Sequence, residues 1–388
     1  MRFPEFTEEW KEEQLDNIAT LSKGIGISKE QLSEDGEPCI LYGELYTKYK
    51  SEIIKQVESK TDINGSKLKR SKANDVIIPC SGETAVDIAT ARCVPFDNIL
   101  FGGDLNVISL HQYDGAFMSY QLNGKRKYDI ARVAQGVSIV HLYGEHLKAI
   151  KTYNPTLPEQ QKIAKLLSLL DDRIDTQNKI IEDLKKLKSA IIDYAINSLN
   201  TDFAKFGSLY EMAGEGGTPT TSNASFYDNG KIPFIKIDDL KQKYLTENKD
   251  FITELGLQKS SAWLVPTHSI LFSNGATIGE ISITTYPVCT KQGILGIVPK
   301  QNIDVEFLYY FMSSSYFKKA VSRIVTEGTM KTAYLKDINN ILCPIPTKEK
   351  QQEIAKMPSA LNSKIDFEQS ILKLFCSQKQ YLLRQMFI

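Results

Sequence analysis

The chain has 388 residues, of which 47 are basic and 47 acidic, so its formal net charge is zero. This balance argues against a protein that binds nucleic acid through a general basic excess. Apolar residues make up 42% and charged residues 24% of the chain, which is typical of a folded protein and excludes a disordered or collagen-like one. Because a single core rarely exceeds ~250–300 residues, we expect two or three packed units.

The sequence contains no apolar run near the ~20 residues that cross a bilayer, and its start, MRFPEFTEEW, lacks a signal-peptide core. We therefore expect a cytoplasmic protein with no membrane partner. The six cysteines include no C-x-x-C pair, so we expect reduced, mostly buried thiols. His141 and His146 have a spacing that fits neither one helix face nor a zinc-protease motif, and no metal site is expected.

The first globular part, residues 1–157, is predicted to contain strands, because short apolar runs such as VIIP (76–79) lie between Gly, Asn and Asp turn signals. Two basic clusters, KLKRSK (67–72) and GKRK (124–127), are candidates for contact with DNA phosphates. A solvated surface loop is the alternative for any short basic run. The candidate DNA-binding residues are Lys67, Lys69, Arg70, Lys72, Lys125, Arg126 and Lys127.

A long helix is predicted over residues 158–200, and a second one over residues 346–388. Their apolar residues recur at alternating steps of four and three, which is the heptad pattern of a coiled coil. At ~1.5 Å per residue each helix is ~60 Å long, too long for one small domain to cover, so each helix is expected to pack on the other. Polar residues interrupt both apolar stripes at equivalent places. The predicted seam consists of Ile174, Gln177, Ile181, Leu184, Lys188, Ile191, Ile365, Glu368, Leu372, Phe375, Lys379 and Leu382.

The second globular part, residues 201–345, is also predicted to be mixed α and β. Strands are indicated by IPFIKI (232–237) and ISITTYPVC (281–289). The apolar spacing of EFLYYFMSSSYFKKAVSRI (306–324) indicates a helix packed on them. The glycines of GEGGTPTT (214–221) are interpreted as a turn rather than an anion site, because no helical pattern follows them.

The second half of the chain repeats the first at a spacing of about 191 residues. The clearest match is EQQKIAK (159–165) with KQQEIAK (350–356). A period this long, which contains its own strands and helices, indicates two domains of one kind rather than a solenoid. Weaker matches join the globular parts: IIPCSGETAVDI (77–88) with ILFSNGATIGEI (270–281), and AQGVSIVHLYGEHLKAI (134–150) with TEGTMKTAYLKDINNI (326–341).

The sequence shows none of the common catalytic signatures. It has no phosphate-binding loop, no dinucleotide fingerprint, no zinc-protease motif and no nucleophile elbow. Asn154-Pro155 lacks the second proline and the aromatic residue of the motif that adenine methyltransferases use. No catalytic residues are therefore predicted.

Together these features resemble the DNA-specificity subunit of type I restriction-modification systems, over essentially the whole chain. Two diverged globular units are each followed by a shared helix opening and a long heptad helix. The second helix departs from the family pattern at Pro358, where the first copy has Leu167. A proline there should kink or delay the helix. The stretches that carry the resemblance are LPEQQKIAKLLSLLDDRIDTQNKIIEDLKKLK (157–188), KQQEIAKMPSALNSKIDFEQSILKLF (350–375), GGTPTT (216–221) and FSNGATIG (272–279).

The resemblance implies an α+β fold with two mixed α/β target recognition domains, residues 1–157 and 201–345, related by a pseudo-twofold axis. Two long antiparallel coiled-coil helices, residues 158–200 and 346–388, would join them. Each domain would bind one half of a bipartite, asymmetric sequence in double-stranded DNA. The helices would set the spacing of the halves and dock two modification (methyltransferase) subunits.

The family picture also assigns the chemistry to partners. Restriction (endonuclease/translocase) subunits would complete the enzyme. S-adenosylmethionine, ATP and Mg would bind the partner subunits, and this chain would bind no cofactor. One alternative is a scaffold with two binding modules on a coiled-coil stalk and no DNA partner, which the zero net charge favours slightly. A single-chain restriction enzyme is the other alternative, and its catalytic motifs are missing.

The polar seam residues also predict a register for the helix pair. An antiparallel alignment that places Lys188 opposite Glu368 also places Gln177 opposite Lys379, and apolar residues then face apolar residues. Such polar pairs add little stability, but they penalise slipped alignments that bury a charge against leucine. The register in turn would fix the distance between the two DNA-binding domains.

Overall fold

The computed structural model describes residues 2–326 and 331–387 of the chain. Part of the predicted TEGTMKTAYLKDINNI match, residues 327–330, therefore lies outside the described residues. The chain forms two compact units: unit 1 comprises Met1–Lys179 and Gln369–Ile388, and unit 2 comprises Ile180–Glu368. Each unit thus contains one segment of each long helix.

Unit 1 contains two four-stranded sheets, two strand pairs and several short helices. Its elements in chain order, ending with the first long helix, are β1 (Lys11–Gln14), α1 (Leu15–Ile18), β2 (Ala19–Lys23), β3 (Glu37–Ile40), α2 (Glu44–Thr47), β4 (Lys60–Thr61), β5 (Lys69–Arg70), β6 (Asp75–Pro79), β7 (Ser81–Gly82), α3 (Ala85–Ile88), β8 (Arg92–Val94), β9 (Leu100–Phe101), β10 (Leu105–Leu110), α4 (Gly115–Asn123), α5 (Lys127–Val133), β11 (Val140–His141), α6 (Gly144–Lys148), β12 (Lys151–Asn154) and α7 (Leu157–Asn197). The main sheet is antiparallel in the order β2-β10-β6-β8, and the second sheet has the order β4-β3-β9-β5. The strand pairs are β1-β12 and β11-β7.

The main sheet of unit 1 is covered on both faces, which explains why β6 is buried at every residue. Successive residues of a strand point to opposite faces, so they enter different cores. Val76 and Ile78 pack in one core with Met118 of α4. Ile77 packs in another core with Phe101 of the second sheet. A continuous apolar run, rather than an alternating one, is the pattern that such a strand requires.

Unit 2 repeats this architecture. Its elements, after its segment of α7, are β13 (Phe203–Lys205), β14 (Tyr210–Glu215), β15 (Ile232–Ile235), β16 (Tyr244–Leu245), β17 (Asp250–Ile252), α8 (Glu254–Gln258), β18 (Ile270–Ser273), β19 (Ile281–Thr284), β20 (Cys289–Thr290), β21 (Ile294–Pro299), α9 (Val305–Ser313), α10 (Ser315–Ile324), α11 (Leu335–Ile338), β22 (Leu342–Pro344) and α12 (Lys348–Gln385). The main sheet has the order β14-β21-β18-β19-β16, and its first four strands correspond to β2, β10, β6 and β8 of unit 1. The smaller sheets are β17-β15-β20 and β13-β22. The prediction of two mixed α/β units of one kind is confirmed.

The single helix predicted over 306–324 is two helices, α9 and α10. They are separated at Ser314, whose backbone is extended (φ −67°, ψ 156°). Its hydroxyl accepts a hydrogen bond from the backbone N–H of Phe317 at 3.2 Å. Ser314 is therefore the N-cap of α10. It starts a second helix at a place where the continuous apolar pattern predicted no break.

Both long helices are continuous and close to their predicted ranges. Pro358 was predicted to kink or delay the second helix, and the delay is wrong, because α12 begins at Lys348 and passes through Pro358. A proline inside a helix removes one backbone hydrogen bond and costs ~3 kcal/mol. Pro358 is buried, as is Leu167 at the equivalent position of α7. Burial of its ring at a position that needs an apolar side chain offsets part of this cost.

The glutamine pair that opens both long helices, within EQQ (159–161) and KQQ (350–352), has a structural role that the sequence did not reveal. Gln160 is 1% exposed. Its side-chain oxygen accepts a hydrogen bond from the backbone N–H of Asp114 at 2.9 Å, and its amide nitrogen donates to the carbonyl of Pro155 at 2.8 Å. Asp114 in turn caps α4 by accepting from the N–H of Phe117 at 2.7 Å. Gln160 therefore ties the start of α7 to the start of α4.

Unit 2 contains the same clamp. Gln351, also 1% exposed, accepts from the N–H of Asp304 at 2.8 Å and donates to the carbonyl of Pro346 at 2.9 Å. Asp304 caps α9 as Asp114 caps α4. The motif recurs because both units need the same connection between a long helix and a helix of the globular part.

The segments of α7 and α12 are antiparallel, and their pairing is defined by one contact in each unit. In unit 1, Nζ of Lys379 lies 2.6 Å from a carboxylate oxygen of Asp171. In unit 2, Lys188 donates to the side-chain oxygen of Asn362 at 2.9 Å. The 191-residue repeat converts one pair into the other, since Lys379 corresponds to Lys188 and Asp171 to Asn362.

The register predicted from the seam, Lys188 with Glu368 and Gln177 with Lys379, is therefore wrong. It treated the helices as an isolated pair, whereas the globular part of unit 1 supplies Glu52 as a further partner of Lys379 at 2.5 Å. A heptad pattern allows more than one alignment, and this buried contact selects another one. The twelve seam residues are all buried or half-buried.

Candidate functional site

Each unit contains an open cleft at the equivalent place. The cleft of unit 1, termed cleft 1, has a volume of about 930 Å³, and the cleft of unit 2, termed cleft 2, about 600 Å³. Both are bordered by the last residues of the matched motifs, Ser81 and Gly82 of IIPCSG in cleft 1 and Gly275 of ILFSNG in cleft 2. Cleft 1 is lined by residues that include Tyr42, Tyr46, Gly82, Arg92, Ile139 and His141. Cleft 2 is lined by residues that include Lys236, Asp238, Gly275, Thr277, Lys291 and Thr332.

The two clefts are built from the same pair of repeated stretches. In unit 1, β7 pairs with β11, which places Gly82 opposite Val140. In unit 2, Gly275 forms an antiparallel bridge with Thr332. The sequence showed that both stretches recur, but their separation along the chain concealed that they meet at one wall.

In unit 1 this wall ends in a hairpin, residues 135–141. Two backbone hydrogen bonds between Gln135 and His141, of 2.8 and 2.7 Å, close it. Gly136 has φ +124°, and a Cβ atom there would lie 2.1 Å from the carbonyl oxygen of Ile139. Only glycine fits this turn.

The linings of the clefts differ although their frames agree. Cleft 1 carries one arginine and several carboxylates, including Glu83 and Asp104. Cleft 2 instead carries Lys236 and Lys291, and Lys236 forms an ion pair with Asp250 at 2.8 Å. Charges of both signs therefore line each cleft, which agrees with the zero net charge of the chain.

Arg92 is the buried cation of cleft 1, with 9% of its surface exposed. Its guanidinium donates from Nε to the carbonyl of Tyr49 and from Nη1 to that of Ala91, both at 3.1 Å. Within residues 2–326 and 331–387 it forms no ion pair. Burial lowers the pKa of Arg92, and the charges of Glu52 and Asp171 act in the opposite direction.

The cluster KLKRSK lies apart from cleft 1, at the edge of the second sheet of unit 1. Lys69 and Arg70 form β5, and Arg70 makes two hydrogen bonds to the carboxylate of Glu37, at 2.6 and 3.0 Å. This contact raises the pKa of Arg70. Lys67 and Lys72 are exposed. The cluster is thus divided between a paired arginine and exposed lysines.

The cluster GKRK forms the turn between α4 and α5. Lys125 is exposed, whereas Arg126 lies 3.2 Å from Asp129 and 5.1 Å from the ring of Tyr153. Lys127 is half-buried, and burial lowers its pKa, with the nearby charge of Arg92 lowering it further. Among the described residues, none of the seven basic candidates lines cleft 1.

The contact between α12 and unit 1 is a buried ionic network that sequence reasoning found only in part. Lys379 lies 2.5 Å from Glu52 and 2.6 Å from Asp171. Tyr120 of α4 donates its hydroxyl to Asp171 at 2.6 Å, and burial, followed by the charge of Asp171, raises the pKa of Tyr120. In the sequence, only the position of Lys379 within an apolar stripe pointed to this network. Its partners Glu52 and Asp171 could not be assigned without the fold.

Unit 2 holds its helix segment with a different arrangement of charge. Lys243, 6% exposed, lies 2.5 Å from Glu306 of α9 and donates to the hydroxyl of Ser359 of α12 at 2.9 Å. At the 191-residue spacing Lys243 corresponds to Glu52 of unit 1, so the sign of the buried charge is inverted. Burial lowers the pKa of Lys188, the lysine that bonds Asn362 nearby on the helix pair.

The glycines of GGTPTT allow backbones to approach closely in unit 2. A Cβ atom on Gly216 would lie 2.2 Å from the carbonyl oxygen of Thr290, and one on Gly217 would lie 2.4 Å from the backbone nitrogen of Ala262. Neither position has room for a side chain. The motif therefore shapes the loop that borders cleft 2, where Thr218 is part of the lining.

The cysteines are free and mostly buried. Five cysteines are buried and Cys376 is half-buried, all as free thiols, which confirms the prediction. Burial raises the pKa of Cys39 to about 11.

Among the described residues there is no cluster of three or more His, Cys, Asp or Glu side chains suited to a metal ion. In the same residues no helix is both long and apolar enough to span a membrane.

The repeated strand order, the paired clefts and the two shared helices define a two-unit α+β protein. The family model of the type I restriction modification DNA specificity domain matches the chain twice, over residues 7–186 and 200–374. The chain belongs to this family. The resemblance noted in the sequence is thereby confirmed.

Curated relatives and a solved structure agree with this assignment. The type I restriction enzyme MjaIX specificity subunit of Methanocaldococcus jannaschii is 32% identical over 171 residues, which cover 42% of this chain and 38% of that relative. The putative MjaX specificity subunit of the same organism is 27% identical over 241 residues, covering 57% of this chain and 55% of the relative. The crystal structure of a type I S subunit from M. genitalium matches with a TM-score of 0.60 at 18% identity, over 100% of this chain and 97% of that one. The last match shows that the fold is shared.

Proposed function

We propose that the chain is the specificity subunit of a type I restriction-modification complex, in which units 1 and 2 each bind one half of a bipartite, asymmetric DNA sequence. The pair of clefts is the observation that carries this proposal. The same loops build both clefts, but different side chains line them. Base pairs differ in the donors and acceptors on their edges, so two domains with one frame and different linings suit two different half-sites.

This function leaves the chemistry to other subunits. We infer that two modification (methyltransferase) subunits dock on the paired helices and that restriction (endonuclease/translocase) subunits complete the complex in the cytoplasm. S-adenosylmethionine, ATP and Mg are assigned to those partners, and this chain is assigned no catalytic role. The absence of catalytic signatures from the sequence supports this division. The scaffold alternative is less well supported, because the family match covers both halves of the chain.

Exchange of residues 1–157 for the matching part of a relative with a different target should change one half of the methylated sequence and leave the other half unchanged. The exchange replaces cleft 1 and retains cleft 2. Genome-wide detection of methylated positions, in cells that express the chimaera with its modification subunits, measures the result. The reciprocal exchange of residues 201–345 is the control and should change only the other half. A change in both halves, or in neither, would contradict the proposed division of labour.

The basic clusters are proposed to contact phosphates, with the exposed lysines contributing most. Replacing Lys67, Lys72 or Lys125 by glutamine should weaken DNA binding about equally for all sequences and reduce the slope of log affinity against log salt by roughly 0.9 per contact. Replacing Arg70 should have a smaller effect because its guanidinium is engaged with Glu37. Titrations of duplex DNA at several salt concentrations provide the measurement. The exposed Lys186, ion-paired with its neighbour Glu182 on α7, offers a control, and a cluster whose removal changes neither affinity nor slope is a solvated loop.

A further inference from the structure

Arg92 occupies a position that is uncharged in the other unit. The backbone N–H of Cys93, the next residue of β8, bonds to the carbonyl of Glu52, and the N–H of Ile283 of β19 bonds to the carbonyl of Lys243, the counterpart of Glu52. Ile283 therefore matches Cys93, and Ser282 matches Arg92. Ser282 is fully buried, and its hydroxyl donates to the carbonyl of Gln242 at 2.6 Å. The fold of these units therefore accepts an uncharged side chain here, and a buried charge, which is costly, is not needed to build the sheet.

The guanidinium of Arg92 is held in place but keeps free donors. An arginine has five N–H donors in a planar fork. The bonds to Tyr49 and Ala91 use Nε and one hydrogen of Nη1. Nη2 has no hydrogen-bond partner among the described residues, and it is not one of their fully buried polar atoms. The free edge of the fork is therefore available to a ligand in cleft 1.

The two carboxylates whose charges act on Arg92 form ion pairs with another residue. Glu52 and Asp171 both act on Arg92, but both lie within 2.6 Å of the ammonium of Lys379. Lys379 carries one positive charge and faces two negative ones. In a purely structural role, the positive charge of Arg92 would balance the remaining negative charge. That role predicts a change in stability and none in DNA sequence preference, so it can be tested separately.

The other charges of cleft 1 indicate what the ligand is. Glu83, Asp87 and Asp104 are exposed carboxylates of the lining, and they would repel a phosphate, which is negative and only accepts hydrogen bonds. A base edge is uncharged and carries both donors and acceptors, so a lining of both signs suits it. Among the base edges in the major groove, guanine presents two adjacent acceptors, O6 and N7, which match the fork of an arginine.

We propose that Arg92 is a specificity-determining residue that binds the O6 and N7 edge of a guanine in the half-site of unit 1. The proposal rests on the proposed function, because it needs cleft 1 to face DNA. Unit 2 lacks this contact, since it has Ser282 at the matched position. The two units therefore differ in this contact.

The substitution Arg92→Ile tests the proposal, because it removes the guanidinium and leaves an uncharged side chain, as unit 2 has at this position. In cells that express the variant with the modification subunits, one guanine of the methylated sequence should become degenerate, and the other half-site should stay unchanged. With the purified complex, discrimination between guanine and other bases at that position should fall roughly 5- to 150-fold, the range of one bidentate contact. Arg132→Ile, at an exposed arginine of α5, is the control and should leave the methylated sequence unchanged.

The remaining outcomes each decide the matter. An unchanged sequence would overturn the proposal and assign Arg92 to charge balance, and an equal loss of affinity for all sequences with a reduced salt slope would overturn it in favour of a phosphate contact. Arg92→Lys keeps the charge and loses the fork, so it covers the case in which Arg92→Ile fails to fold. Weaker discrimination at the guanine supports the proposal in that variant, and full discrimination overturns it. If the complex that contains the natural chain methylated no defined sequence, the proposed function itself would be wrong.

Discussion

Replacement of Lys379 by methionine should lower the stability of unit 1 by about 3–5 kcal/mol, the cost of removing one partner from a buried ionic network. Lys379 is the ammonium between Glu52 and Asp171, at 2.5 and 2.6 Å. Both carboxylates are buried. Without the lysine they would remain as two uncompensated charges in a region of low dielectric. Chemical denaturation followed by circular dichroism measures the loss.

The surface pair Lys186–Glu182 gives a matched control on the other long helix. Its separation is 2.7 Å, but its side chains are 68% and 65% exposed, so Lys186→Met should cost only about 0–1 kcal/mol. A triple variant that combines Lys379→Met with Glu52→Gln and Asp171→Asn should recover much of the lost stability, because it removes the two buried negative charges as well. Asparagine is the residue that α12 has at the matched position, Asn362. Equal effects of the two lysine substitutions would contradict the role assigned to the network.

The same network gives a pH dependence with a defined sign. Burial by itself lowers the pKa of Lys379, but Glu52 and Asp171 together raise it above its ordinary value. Because the pKa is raised in the folded state, the contribution of the lysine is complete below the pKa of an unfolded lysine, about 10.4. It is lost as the pH rises through the folded value. Above about pH 10 the natural chain should therefore lose more stability than Lys379→Met does.

Local periodicity and the repeat predicted the two mixed units and the long helices, because these features depend on neighbouring residues or on whole segments. The sequence did not predict the register of the helices. That register depends on Glu52, which is 327 positions from its partner Lys379. It also did not predict the break at Ser314, because an N-cap serine in an apolar helical pattern has the same spacing as a continuous helix.

The clefts show a similar limit. The motifs that contain Gly82 and Gly275 were found as matched stretches, but only the fold shows that each meets a second matched stretch. Arg92 could not be selected from the sequence, because its burial depends on the strand partner Ile77 and its position on the carbonyl of the distant residue Tyr49. The basic clusters were visible by charge alone, and charge does not show that Arg70 is already paired with Glu37. Partners that are distant in sequence thus decide which charged residues are free to act.

Replacement of Gln160 by leucine should destabilise unit 1, and replacement of Gln351 should destabilise unit 2, each by about 2–4 kcal/mol. Leucine keeps the approximate volume of the side chain but leaves two backbone groups of unit 1, or three of unit 2, without their side-chain partner. In unit 1 these are the N–H of Asp114 and the carbonyl of Pro155. An unsatisfied buried group costs about 1–3 kcal/mol. The loss of the first bond should also loosen the start of α4, so hydrogen exchange at its first turn should become faster.

The motif contains its own control, because the next residue in each copy is also glutamine. Gln161 and Gln352 are exposed, so their replacement by leucine leaves no buried group unsatisfied and should change the stability by less than about 0.5 kcal/mol. Denaturation curves of the four variants make the comparison. If Gln160→Leu and Gln161→Leu had equal effects, the clamp would not explain the recurrence of the motif. A large effect confined to the first glutamine of each pair would show that the recurrence reflects one buried connection, made once in each unit, between a long helix and the capped helix beside it.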